Sequence, residues 1–182
     1  MLGRNGKTMT EFREEMLENI IAGYSAYFDV ERIEDKSVSL KAICSFHVHS
    51  EKYVLVKSAK LWDADANEYV YLFSVPKLTQ EIFEKCREYA YGKGMACIEP
   101  GPNHMYSYIT ALFLCDEYTK EAEMALKKCR IYKNFKLSLH GWMEFHTALL
   151  GCTDGSIVTN HAGREMKKML KNSYEKKGGK KR

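Results

Sequence analysis

The six cysteines, Cys44, Cys86, Cys97, Cys115, Cys129 and Cys152, form no C-x-x-C and no C-x-H spacing, which excludes a zinc knuckle. No apolar run approaches the roughly 18 residues of a membrane span. The opening, MLGRNGKTMTEFREE, lacks the apolar stretch of a secretion signal. There is no G-x-S-x-G, no cysteine recognisably paired with a histidine and no glycine-rich phosphate loop, so nucleophilic catalysis has little support. Prolines number only three, and no internal repeat or linker divides the chain. These absences predict a reduced, soluble, cytoplasmic protein. A single domain is expected over residues 1–174, followed by a flexible basic tail over 175–182, EKKGGKKR.

What is present is an ordinary globular composition, 45% hydrophobic and 29% charged, with enough Tyr and Phe to favour a packed sheet over a disordered chain. The net charge of +4 is unevenly placed: residues 164–182 hold nine Lys or Arg against two Glu, and residues 1–163 hold 19 basic and 22 acidic residues. A mildly acidic body argues against a nucleic-acid face covering the domain.

Hydrophobic period then divides the chain. Phe12, Met16, Leu17, Ile20, Ile21, Tyr24, Tyr27 and Phe28 recur at helical spacing, so a helix is expected over 10–28, started by Thr8 or Thr10 with Glu11. Residues 38–75 switch to period two. VSLKAICSFHVH, KYVLVKSAK and NEYVYLFSV read as three strands of an antiparallel meander, linked by SE and by WDADA. Thr79 begins a second helix that Gly92 and Gly94 end; Tyr106 to Cys115 is a strand apolar on both faces; Thr119 caps a third helix. A strand over 135–149 bends at Gly141, Asp154-Gly155 turns into a short strand at 157–159, and Asn160 caps the last helix. The order α-βββ-α-β-α-ββ-α implies an α+β fold, with helices packed on a mixed, mainly antiparallel sheet of five to six strands.

NHMYSYITALFL, EAEMALKKCRIYKNFKLSLHGWMEF and IVTNHAGREMKKML resemble an uncharacterised family of bacterial domains of unknown function, found mainly in clostridia and related Firmicutes, over roughly residues 98–172. The resemblance implies a bacterial cytoplasmic protein and brings no catalytic or binding residues with it.

Candidate sites therefore rest on the residues themselves. In FKLSLHGWMEFHTAL one alternate set is apolar, whereas the other holds His140, Trp142, Glu144 and His146. His47 and His49 alternate in the same way in AICSFHVHS. If the two strands were neighbours, His47 and His49 with Glu144 and His146 would compose a two-His-one-carboxylate set able to hold a metal and serve a metal-dependent hydrolase, which His140, about 20 Å from His146 along a strand, could not easily join. The blander alternative is a polar sheet face partly covered by a helix, its imidazoles hydrogen-bonded to neighbours. Three other patterns fail or are weak. An endonuclease site supplied by Asp63 and Asp65 lacks its lysine, because the next strand reads Glu68-Tyr69-Val70. DADANE has Glu68 where a calcium loop needs glycine, so it reads as a solvated hairpin turn. Lys127, Lys128, Arg130, Lys133 and Lys136, interleaved with Tyr132 and Phe135, suit RNA or DNA, but no nucleic-acid signature accompanies them.

The reading is a binding or protein-interaction module rather than an enzyme, with no cofactor and no metal. Its ligand or interface face bears His47, His49, His140, Trp142, Glu144 and His146, and a homodimer through that face is the concrete expectation.

Overall fold

Thr8 caps the first helix: its side chain accepts the Glu11 N–H at 3.3 Å while Glu11 Oε2 accepts the Thr8 N–H at 2.7 Å, closing a capping box. Helix α1 (Met9–Tyr24) follows. A computed structural model describes residues 8–53 and 60–177, with side chains placed over 8–48 and 65–176. The remaining elements are β1 (Asp29–Asp35), β2 (Leu40–Tyr53), β3 (Lys60–Leu78), α2 (Gln80–Ala96), β4 (His104–Tyr118), α3 (Lys120–Lys128), β5 (Tyr132–Asn134), β6 (Trp142–Gly151), β7 (Ile157–Thr159) and α4 (Met166–Lys177). Thr79 and Thr119 cap α2 and α3 as expected.

Among the described residues the sheet has seven strands, in the order β1-β2-β3-β4-β6-β5 with β7 paired to β6. Its middle pairings, β3 with β4 and β4 with β6, are parallel, and the other four are antiparallel. Parallel neighbours need crossover connections, which α2 and α3 supply. Both helices pack on one face, where Phe83, Cys86, Ala90, Ala122 and Leu126 meet Tyr71, Phe73, Phe113 and Phe145. Phe12, Met16 and Ile20 of α1 and Leu170 of α4 cover Val70, Leu72, Leu112, Leu114, Ala148 and Leu150 on the other. Strands covered twice read as continuous apolar runs, which accounts for Tyr69–Val75 and Ile109–Cys115.

Several expectations are corrected. The strand over 135–149 starts only at Trp142. Residues 135–141 form a turn in which Lys136, Leu137 and Ser138 take left-handed conformations, φ 45°, 54° and 70°. The turn is closed by the Leu139 N–H on the Lys136 carbonyl (3.0 Å), the His140 N–H on the Phe135 carbonyl (3.1 Å) and the Phe135 N–H on the Gly141 carbonyl (3.0 Å). Leu137 and Leu139, read as core, are 95% and 76% exposed. Gly141, at φ +74°, lies so close to β4 that a Cβ would meet the Met105 carbonyl oxygen at 2.4 Å.

WDADA is not a hairpin turn. It lies within β3, held by β2 on one side and, at Asp65, by β4 on the other, where the Asp65 N–H donates to the Asn103 carbonyl at 2.8 Å. Residues 54–59 of the expected strand KYVLVKSAK lie outside the described residues. The first strand, DVERIED, went unrecognised because an exposed edge strand carries only Val30 and Ile33 as apolar markers. Helix α2 runs past Gly92 and Gly94 to Ala96; Gly94 lets the helix lie against Ile109, whose side chain a Cβ would meet at 2.7 Å. Helix α4 starts at Met166 after a 3-10 turn (Ala162–Glu165) and includes Glu175 to Lys177, while the rest of the basic tail lies outside the described residues. No described helix is long and apolar enough to cross a membrane.

Candidate functional site

Residues paired across neighbouring strands share a face, so the register builds the site row by row. One row runs Val48, Ala66, Tyr106, Trp142, Asn134. The next runs Phe46, Glu68, Tyr108, Glu144, Tyr132, and a third Cys44, Val70, Thr110, His146. All three lie on the α1/α4 face. Helix α1 buries Cys44 and Val70. The first two rows are left half-exposed, with Val48 38% and Tyr132 52% exposed at their margins.

The rings in this uncovered half touch one another. Tyr106 lies 4.7 Å from Tyr108 and 5.9 Å from Trp142 between centroids, and Tyr108 stacks on His146 at 4.6 Å. Phe46 packs on Phe28 at 5.2 Å. Glu68 and Glu144 flank Tyr108 on either side in the register. Burial raises the Glu68 carboxyl above the ordinary carboxylate range. Burial lowers the His146 imidazole, and Glu144, whose Oε2 lies 3.8 Å from His146 Nε2, opposes that only in part. At that separation the two attract electrostatically without a hydrogen bond. Desolvation first, then Tyr106, Glu144 and Glu68, raise the Tyr108 phenol, which stays protonated and able to donate.

Of the six residues singled out from the sequence, the fold brings Trp142, Glu144 and His146 together. His47 is on the opposite face. It pairs with Asn67, which pairs with Ser107 and then Met143, all in the phase that α2 and α3 cover. Strands β3 and β4 stand between β2 and β6, so the premise of neighbouring strands fails, and with it the two-His-one-carboxylate set. His49 occupies the same backbone phase as His47, opposite Asp65. Its side chain lies outside the described residues. His140 belongs to the left-handed turn, not to a strand. Among the described residues no group of three or more His, Cys, Asp or Glu is arranged to hold a metal ion.

The α2/α3 face carries a polar network that the sequence did not reveal. The His104 Nδ1–H donates to the His140 carbonyl (2.7 Å), and a carbonyl can only accept. That sets the tautomer and leaves Nε2 to accept from the Ser107 hydroxyl at 2.8 Å. Asn67 Nδ2 reaches Ser107 at 3.5 Å, and Asn67 Oδ1 lies 2.8 Å from His47 Nδ1. His47 opens on a cavity of about 340 Å³ shared with Asp65, Tyr69, Cys97, Glu99 and His104. A hydroxyl on a histidine that a third group orients resembles a nucleophile and its base. Ser107, however, is 0% exposed, so the network pins the 135–141 turn to β4 instead of presenting a nucleophile. His104 follows a proline-containing loop, where nothing in the sequence marks it as buried.

The basic cluster does not assemble as an aromatic-lined track. Phe135 is buried against His104, whereas Tyr132 faces the opposite side and is exposed. Lys127 pairs with Glu123, and Lys127, Lys128 and Arg130 line a cavity of about 300 Å³ beside Glu144 and Asn160.

A mixed sheet with helices on both faces, and one half-face of rings and carboxylates left open, makes this an α+β domain. Its sequence matches a family model over residues 13–172, spanning both halves of the chain, and the protein belongs to that family, described as Domain of unknown function (DUF8052). No curated protein and no solved structure matches it.

Proposed function

We propose that the protein is an interaction module without catalytic activity, and that it associates with a second copy of itself through the uncovered half of the α1/α4 face. One observation carries this reading. Beside the part of this face that α1 and α4 cover, Tyr106, Tyr108 and Trp142 form a half-exposed ring patch with Glu68 and Glu144 in the same rows and Phe46 beyond Glu68. Rings that are apolar in body and polar at one tip are the groups that anchor interfaces. The carboxylates disfavour a phosphate backbone on this face, which weighs against nucleic acid as its occupant.

Replacing Trp142 tests the reading. If the indole anchors an interface, Trp142→Ala shifts the protein towards monomer and leaves the melting temperature of the monomer close to that of the wild type. A Trp142 that serves only its own chain would cost stability without changing the mass in solution, and that result rejects the proposal.

A further inference from the structure

The cleft on the α2/α3 side of the sheet, away from the proposed self-association surface, has a lining of one chemical kind. It holds about 340 Å³, bordered by His47, Asp65, Tyr69, Cys97, Glu99 and His104. The network behind it settles what His47 presents. Ser107 gives its one hydroxyl hydrogen to His104 Nε2, so its oxygen can only accept, and the Asn67 atom that reaches it at 3.5 Å is Nδ2. Asn67 therefore turns Oδ1 to His47, whose Nδ1, 2.8 Å away, carries the proton. In the neutral ring, Nε2 is left as an acceptor with no hydrogen-bond partner among the described residues. Helix α2 also ends at this cleft. Cys97 is its C-cap, and the Cys97 carbonyl accepts the Tyr69 hydroxyl at 3.1 Å. A helix C-terminus and two carboxylates favour positive charge, and Nε2 calls for a donor. No Lys or Arg is among the described residues that line the cleft; Lys93, in the last turn of α2, lies over the Tyr89 ring at 5.9 Å instead.

We propose that this cleft binds the primary ammonium group of a small amine, which donates to His47 Nε2 and to the carboxylates of Asp65 and Glu99. An alkylammonium carries three N–H donors, enough for those acceptors, and its chain lies against the rings of His47 and Tyr69, whose centroids are 5.5 Å apart. Two carboxylates at a surface are ordinarily solvated and make no site. What distinguishes this one is the relay from the His140 carbonyl through His104, Ser107 and Asn67, which fixes the ring of an exposed histidine. A solvent-facing imidazole needs no such ordering. An anion would meet both carboxylates, and no three donors are arranged for a metal ion among the described residues. The site is independent of self-association, so either reading can fail without the other.

Titration of the wild-type protein with three probes of similar size tests the proposal without any variant. Butylammonium is expected to bind saturably with a dissociation constant of about 1 mM or less. Butyltrimethylammonium has the same charge and no N–H, and is expected to bind at least tenfold more weakly; butyrate is expected not to bind. No saturation by butylammonium overturns the proposal, and so does equal affinity for the quaternary probe, which would mean attraction by charge alone. Nitrogen-15 spectra of the imidazoles at about pH 8, where the ring is ordinarily neutral, are expected to show His47 protonated at Nδ1; an Nε2–H tautomer removes the acceptor and the argument with it. Among variants, His47→Phe keeps a ring and deletes the acceptor, and is expected to weaken butylammonium about tenfold. Asp65→Asn is expected to do at least as much, whereas Glu31→Gln, on the exposed edge strand β1, changes nothing. Unchanged binding in a His47→Phe protein that melts like the wild type contradicts the proposal.

Discussion

Replacing Asn160 gives a sharp test of how the β6 edge is held. Its Oδ1 accepts the Thr147 N–H at 3.1 Å and the Gly163 N–H at 2.8 Å, while Nδ2 donates to the Cys129 carbonyl at 3.0 Å and the Phe145 carbonyl at 2.9 Å. Two donors on one side and two carbonyls on the other fix the orientation of the amide. The residue is 3% exposed. It ties the end of α3, strand β6 and the turn into α4 to one point. An ordinary helix cap costs about 1 kcal/mol when replaced by alanine. Asn160→Ala instead strands four backbone groups at about 1–3 kcal/mol each, partly relieved by entering water, so a loss of roughly 3–5 kcal/mol is expected. In urea titration this lowers the midpoint at unchanged slope, and thermally it lowers the melting temperature by roughly 6–20 °C. Asn160→Asp keeps both acceptor bonds but sets a carboxylate oxygen against two carbonyls. It should be no better than alanine at pH 7 and recover on acidification, when the carboxyl gains a proton to donate. A loss near 1 kcal/mol for alanine, or a tolerated aspartate at pH 7, would refute the hub.

Further outcomes follow from the same packing. His146 is held below its ordinary value near 6.5 by burial. The stability it contributes is therefore complete above that pH and lost as pH falls through the lowered value, and His146→Gln should flatten the decline of stability below pH 6.5. Arg13, buried and bonded to Asp116 and to Ser74 (3.2 Å), cannot be removed without stranding a carboxylate; Arg13→Ala should cost about 3–5 kcal/mol in urea unfolding. Gly141→Ala should destabilise by at least 1–2 kcal/mol, since its left-handed φ and the Met105 carbonyl leave no room for a Cβ.

Periodicity recovered the elements whose burial follows the chain's own pattern: α1, α3, the doubly covered middles of β3 and β4, and the end of β6. It failed where burial and pattern separate. Phe135, Leu137 and Leu139 alternate like a strand, yet only Phe135 is buried, because the left-handed turn throws the two leucines outward. Asp63 to Glu68 look like a turn, yet long-range pairing with β2 and β4 holds them in a strand, and one chain segment carries no sign of its future neighbours. The site was half visible for the same reason. Trp142, Glu144 and His146 share a strand, so alternation alone groups them. Their cross-strand companions Glu68, Tyr106, Tyr108 and Tyr132 are set by register, and His47 falls on the other face because strand order decides which phases coincide.

The most direct test of the interaction reading is sedimentation equilibrium of the wild-type protein from low micromolar to near-millimolar concentration. The account predicts a reversible monomer–dimer equilibrium that Trp142→Ala shifts to monomer. A single monomeric species over the whole range, or a dimer indifferent to Trp142, would contradict it.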